Sequence, residues 1–158
     1  METRNGTLWL TADEQYSWRI HLEVGKLLTH RLDRELRPFG LRYSDYEVLA
    51  HLSESAGRRM RMSDLVRATL HYKSRVSQQV SRLESAGLVC REICESDRRA
   101  LYVVLTEQGW KTLRTVAPHH VAAVREHFID LLPDELPAAL CKALTPVAEH
   151  LRAVRGKA

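Results

Sequence analysis

Between Lys73 and Arg82 the chain concentrates side chains able to read the edges of base pairs, in the run Lys73 Ser74 Arg75 Val76 Ser77 Gln78 Gln79 Val80 Ser81 Arg82. At ~100° per residue, Val76, Val80 and Leu83 fall on one stripe of a helix. Ser74, Gln78, Ser81 and Arg82 then point the other way, with Arg75 and Ser77 at the flanks. The outward face is hydrogen-bonding and cationic, and no carboxylate interrupts it before Glu84. Hydroxyl, amide and guanidinium groups are those that pair with base edges in a major groove, and Lys73 joins them as a DNA-binding candidate. Gly87 ends the helix as a left-handed cap, because a residue without Cβ takes positive φ without penalty.

Two strand-like segments follow, Leu88 to Cys94 and Leu101 to Leu105, rich in branched and aromatic residues. The connection Glu95 Ser96 Asp97 Arg98 Arg99 is short and polar, which suits a hairpin. An arginine at such a tip can reach the narrow, more negative minor groove. A helix carrying Ser74, Arg75, Ser77, Gln78 and Arg82 beside a hairpin tipped by Arg98 and Arg99 suits duplex DNA.

The elements that must hold this face are helical. Thr11 and Glu14 form a capping box, and Tyr16, Ile20, Val24, Leu28, Leu32 and Leu36 recur every four residues until Pro38 ends the helix. A second box, Ser44 to Glu47, opens a short helix with Tyr46, Leu49 and Leu52 inward. Gly57, Arg58 and Arg59 read as a loop, and Ser63 as the cap of a helix bearing Leu65, Val66 and Leu70. That helix and the one from Lys73 make a helix-turn-helix. Thr106 caps a long helix through Trp110, Leu113 and Val116 toward Leu131, which Pro118 should kink. Pro133 fits the first turn of a last helix carrying Leu136, Leu140, Leu144, Val147 and Leu151. The first and the last two helices bear more apolar residues than a ~70-residue reading head can cover, so a two-fold dimer that buries them is expected.

The segment Asp97 Arg98 Arg99 Ala100 Leu101 Tyr102 Val103 Val104 Leu105 Thr106 resembles the wing motif of the MarR family of bacterial transcription regulators, Asp-x-Arg, five residues, then Leu-Thr. Glu107 Gln108 Gly109 continues it, and Leu83 Glu84 with Gly87 Leu88 Val89 matches the family's end of the recognition helix. The resemblance runs from about Thr11 to Leu151. One position departs from the pattern: Tyr72 stands where many relatives have a small capping serine, leaving Ser74 as the substitute cap. The resemblance implies a single domain over 1–158, mainly α with a small β-hairpin wing. Within it, 41–106 would form the winged helix-turn-helix, and 8–38 with 107–155 the dimerisation helices. It further implies that Asp97 and Arg99 shape the wing so that Arg98 projects. Relatives often take a small aromatic or anionic effector between reading head and dimer helices; Trp18, His21, Arg34, Tyr43, Tyr46 and His51 are candidates for lining such a cleft, or equally for packing.

Composition sets independent limits. The chain has 158 residues, 44% apolar and 28% charged, enough for a core. No window approaches the ~18 unbroken apolar residues of a membrane span, and no signal peptide is evident, so a cytoplasmic place is expected. The formal charge is only +4, so a polyanionic partner is suggested more by where the arginines cluster than by the total. Cys90, Cys94 and Cys141 are odd in number and lack Cys-x-x-Cys spacing, which argues against a disulfide framework and makes small core residues their default role.

Each feature has a blander reading. A Ser, Gln and Arg face is most often a solvated helix surface, and Asp97 with Arg99 can be an incidental ion pair. The neighbouring hairpin and helix-turn-helix reverse those odds. His119 and His120 are adjacent and diverge on a helix, and no His-x-x-x-His pair occurs, so no metal site is expected and a metal-responsive regulator stays a minority alternative. Motifs for zinc hydrolysis, phosphate cradling or a nucleophilic serine are absent, so neither an enzyme nor a bound cofactor is expected. The expected partners are double-stranded DNA, a second copy of the chain, and a small-molecule effector. The remaining alternative is a winged-helix protein-interaction module without DNA binding, which exposed Arg75, Gln78 and Arg98 disfavour because protein interfaces deplete charge at their centre.

Overall fold

The structure, a computed structural model, describes residues 3–4, 7–93 and 101–155. Two short strands, β1 (Thr3–Arg4) and β2 (Thr7–Leu8), pair antiparallel before the first helix. Helix α1 (Ala12–Leu36) opens on the expected box: the Glu14 N–H donates to Thr11 Oγ1 at 3.2 Å, and the Thr11 N–H to Glu14 Oε2 at 2.7 Å. A 3-10 turn over Arg37–Phe39 takes in Pro38 and ends at Gly40, whose φ of 72° is left-handed. The remaining elements are α2 (Tyr43–Glu54), β3 (Arg59–Arg61), α3 (Met62–Ala68), α4 (Lys73–Ser85), β4 (Val89–Ile93), β5 (Leu101–Leu105), α5 (Glu107–His127) and α6 (Leu136–Arg155).

The chain forms two compact units, residues 1–120 and 121–158. In the first, Val48, Leu49 and Leu52 of α2, Leu65 of α3, and Val76 and Val80 of α4 are all fully buried, together with Val103 of β5. The stripe read from the sequence of α4 is therefore its core face. Five consecutive pairs, from Val89 opposite Leu105 to Ile93 opposite Leu101, set the hairpin register. In the second unit α6 carries Pro137 in its first turn and Pro146 inside, while Val147 and Leu151 are exposed at 53% and 60%.

Several local expectations are corrected. Gly57 to Arg59 is not simply a loop, because Arg59–Arg61 forms the third strand of the wing sheet, with Met60 opposite Val103. Three residues are too few to show an alternation. This strand runs directly into α3, so Arg61 rather than Ser63 precedes the helix and no side chain caps it. Leu70 lies beyond α3 in the turn, 58% exposed and with φ 57°, not on the inward face. Helix α2 starts at Tyr43, with Asp45 accepting the Arg42 N–H at 2.9 Å, in place of a Ser44 to Glu47 box. Tyr72, in extended conformation, precedes α4 without a side-chain cap, and Ser74 sits inside the first turn. Helix α5 continues through Pro118, and Pro133 falls outside α6, which starts at Leu136. Cys141 is exposed and so is no core residue. Among the described residues no helix is long and apolar enough to cross a membrane.

Candidate nucleic-acid interface

Burial of Val76, Val80 and Leu83 fixes the rotation of α4 and leaves Lys73, Ser74, Arg75, Ser77 and Gln78 exposed together. Three contacts lock the helix. Gln79, 5% exposed, donates its amide to the Ser44 carbonyl at the start of α2. Arg82, expected on the outward face, instead turns its guanidinium onto Asp45 of α2 in a two-pronged pair, one bond of 2.6 Å from Nη1 to Oδ2. Arg91 on β4 pairs with Glu84 and donates to the Ser77 carbonyl at 3.1 Å and to Ser81 Oγ at 2.9 Å. The polar residues of α4 thus divide by task. Gln79, Arg82 and Glu84 hold the helix to α2 and β4, and the residues from Lys73 to Gln78 outside the apolar stripe face solvent.

Sequence reading missed Gln79, Asp45 and Arg91. The helical period did place Gln79 beside the apolar stripe, but a single amide there gives no sign of its acceptor. Asp45 and Arg91 act across elements, at separations only the fold supplies.

At the wing root, Tyr102 of β5 lies under two guanidinium groups, Arg59 at 4.7 Å and Arg61 at 5.7 Å, and Arg61 Nε donates to its hydroxyl at 3.1 Å. Cys94, Asp97, Arg98 and Arg99 lie outside the described residues. Burial pushes the Cys90 thiol up, with Glu92 and Glu84 adding to it, which disfavours the reactive thiolate. Among the described residues no group of three or more His, Cys, Asp or Glu side chains could hold a metal ion.

A cleft of about 1260 Å³ opens between α1, the start of α2 and α4. Of the residues expected to line an effector site, His21 and Tyr43 lie in its wall; Trp18, Arg34, Tyr46 and His51 do not. Trp18 is exposed and stacks on His21 with ring centroids 6.2 Å apart. Tyr46 packs on His120 at 4.1 Å, and burial raises the phenol pKa of Tyr43 and Tyr46. His120 Nδ1 is buried without a hydrogen-bond partner, and burial lowers that ring's pKa.

This arrangement can be set beside known proteins. The model described as MarR family matches residues 39–100. The crystal structure of AbsC, a MarR family transcriptional regulator from Streptomyces coelicolor, is 62% identical, with 93% of this chain and 99% of that chain covered and a TM-score of 0.89. The chain belongs to the MarR family. Sco3205, a MarR family transcriptional regulator from the same organism solved in complex with DNA, is 41% identical over 94% of this chain and 93% of that one, with a TM-score of 0.88. The curated regulator PecS of Dickeya dadantii (strain 3937) is 28% identical over 129 residues, 81% of this chain and 77% of PecS. Leu105 ends β5 and Thr106 caps α5: its Oγ1 accepts the Gly109 N–H at 3.0 Å and donates to the Gly87 carbonyl at 2.7 Å.

Proposed function

We propose that the protein is a sequence-specific DNA-binding transcription regulator that acts as a homodimer on a pseudo-palindromic operator, chiefly as a repressor. The observation that carries this reading is the outward face of α4, where Lys73, Ser74, Arg75, Ser77 and Gln78 are exposed on a helix whose rotation is fixed by its core. The 41% identical Sco3205 was solved with DNA, which supports the same partner here. Arg75 and Gln78 are the base-reading residues in this account, and Lys73, Ser74 and Ser77 the phosphate contacts. Arg82 positions the helix through Asp45 rather than touching DNA. Arg98 would occupy a minor groove, with Asp97 and Arg99 orienting the tip.

The dimer reading is supported by apolar surface that stays exposed among the described residues. On α1, Leu32 and Leu36 are buried, whereas Tyr16, Ile20 and Val24 of the same stripe are 68%, 39% and 41% exposed. A two-fold dimer engages half-sites whose centres lie about one helical turn, ~10 bp, or a multiple apart. Inserting about five base pairs at the operator centre rotates one half-site by half a turn, and binding is expected to fall to the level of random duplex. Undiminished affinity on that spacer would rule out a rigid dimer on an inverted repeat. Selecting bound genomic fragments supplies the operator for this test. A small-molecule effector in the cleft beside α4 is the proposed release signal.

A further inference from the structure

The turn from α3 into α4 departs twice from what local stability favours. Thr69 closes the last turn of α3, its N–H donating to the Leu65 carbonyl at 2.9 Å, and Leu70 follows with φ 57°. That is the left-handed conformation which helix ends ordinarily give to glycine, because a Cβ is crowded there. Tyr72 then stands as the residue before α4, extended at φ −70° and ψ 146°, and offers no side-chain cap to the first backbone N–H groups of that helix. Serine, threonine, aspartate or asparagine would accept from one of them and hold the helix more firmly. Local conflicts of this kind gather at functional sites, where a side chain is needed for something other than folding.

What position 72 presents is a ring in solvent. Were α4 continued backward, residue 72 would fall about one turn before Val76, on the buried stripe, but the extended backbone of Tyr72 takes its side chain off that stripe. The residue is 84% exposed, more than any other large apolar residue among those described, and its ring makes no hydrogen bond or aromatic contact there. It adjoins Lys73, Ser74 and Arg75, all exposed, at the N-terminal end of α4. A recognition helix enters the major groove by that end, with its first residues against the base edges.

An aromatic ring carried into a major groove has one apolar group to meet. Thymine alone presents a methyl there, at C5; the other base-edge groups are hydrogen-bond donors and acceptors, which a ring face does not pair. We propose that Tyr72 is a specificity-determining residue whose ring packs on the C5-methyl of a thymine in each half-site, beside the bases read by Arg75 and Gln78. This rests on the reading of α4 as the DNA-contacting helix and adds an operator position that those two residues do not read. The competing assignment is a phosphate contact by the phenol hydroxyl, which would add affinity on any sequence.

Replacing a thymine by 2′-deoxyuridine removes the methyl and leaves every hydrogen-bonding group of the base in place. With the full chain and the selected operator, each thymine of one half-site is replaced singly and affinity is titrated at one fixed salt concentration. Wild type should lose about fourfold at one thymine position, the worth of one buried methyl group. Tyr72→Ser should bind the thymine and uracil duplexes alike at that position. Because serine supplies the missing cap, the urea midpoint of this variant should rise, so a loosened helix cannot explain the lost preference. Tyr72→Phe, which lacks only the hydroxyl, should keep the preference. Thymine preference retained by Tyr72→Ser at every position would overturn the proposal. A uniform loss by Tyr72→Phe on operator and random duplex, with no thymine preference left, would assign the hydroxyl to a phosphate instead. Wild type that tells operator from random duplex but has no methyl-sensitive thymine would overturn the role of Tyr72 alone, whereas wild type that cannot tell them apart would overturn the reading of α4 itself.

Discussion

Asp45→Ala is expected to destabilise the protein by about 2–4 kcal/mol and to weaken operator binding at temperatures where the variant is still folded. Asp45 is 1% exposed and serves two elements at once, accepting the Arg42 N–H at the start of α2 and both prongs of Arg82 on α4. Truncation leaves those donors without their acceptor. Because the Arg82 side chain is 39% exposed, water recovers part of the loss, which places the cost below that of a wholly buried pair. Charge alone argues the other way for DNA, since removing a carboxylate near a DNA-facing helix should tighten binding. Urea unfolding should show a lower midpoint at unchanged slope. An unaltered midpoint with tighter DNA binding would mean that Asp45 acts only through the field and does not hold α4.

Gly109→Ala should cost about 3 kcal/mol or more, although Ala is ordinarily the better helix former. Gly109 lies in the first turn of α5, where a Cβ would collide with the backbone carbonyl of Leu88 and lie 2.7 Å from Leu105 Cδ1. The same Leu88 carbonyl accepts the Thr106 N–H at 3.1 Å, so it cannot retreat without loosening the junction of the wing and α5. The matched control is Gly25→Ala in α1, where a Cβ meets nothing within 4 Å. That change should stabilise by about 0.5–1 kcal/mol through helix propensity. Opposite signs in parallel unfolding curves support close packing at Gly109, and equal small gains would contradict it.

The parts of this fold legible in the sequence were those governed by local periodicity and local chemistry. Leu83 and Val80 announced the rotation of α4, Thr11 and Glu14 the start of α1, and Thr106 the start of α5, because each signal lies within one or two helical turns. What escaped was non-local. Arg59–Arg61 becomes a strand only because β5 lies beside it. Arg82 looked like a reader because periodicity gives the direction of a Cβ and not the end of a long side chain, and Asp45 lies thirty-seven residues away. In the sequence Trp18, His21, Arg34, Tyr43, Tyr46 and His51 read as lining a cleft or equally as packing; His21 and Tyr43 lie in the wall of the cleft beside α4, whereas Trp18 stacks on His21 and Tyr46 packs on His120, contacts that only the fold supplies.

The central claim is that the exposed face of α4 reads sequence. The most direct measurement is a titration of wild type, Arg75→Ala, Gln78→Ala and the double variant against operator and random duplex at one fixed salt concentration. Each lost base contact should cost about 1–3 kcal/mol on operator and less on random DNA, so the double variant should lose most of its discrimination while unfolding like wild type. Full discrimination retained by the double variant would contradict the account and show that another surface reads the DNA.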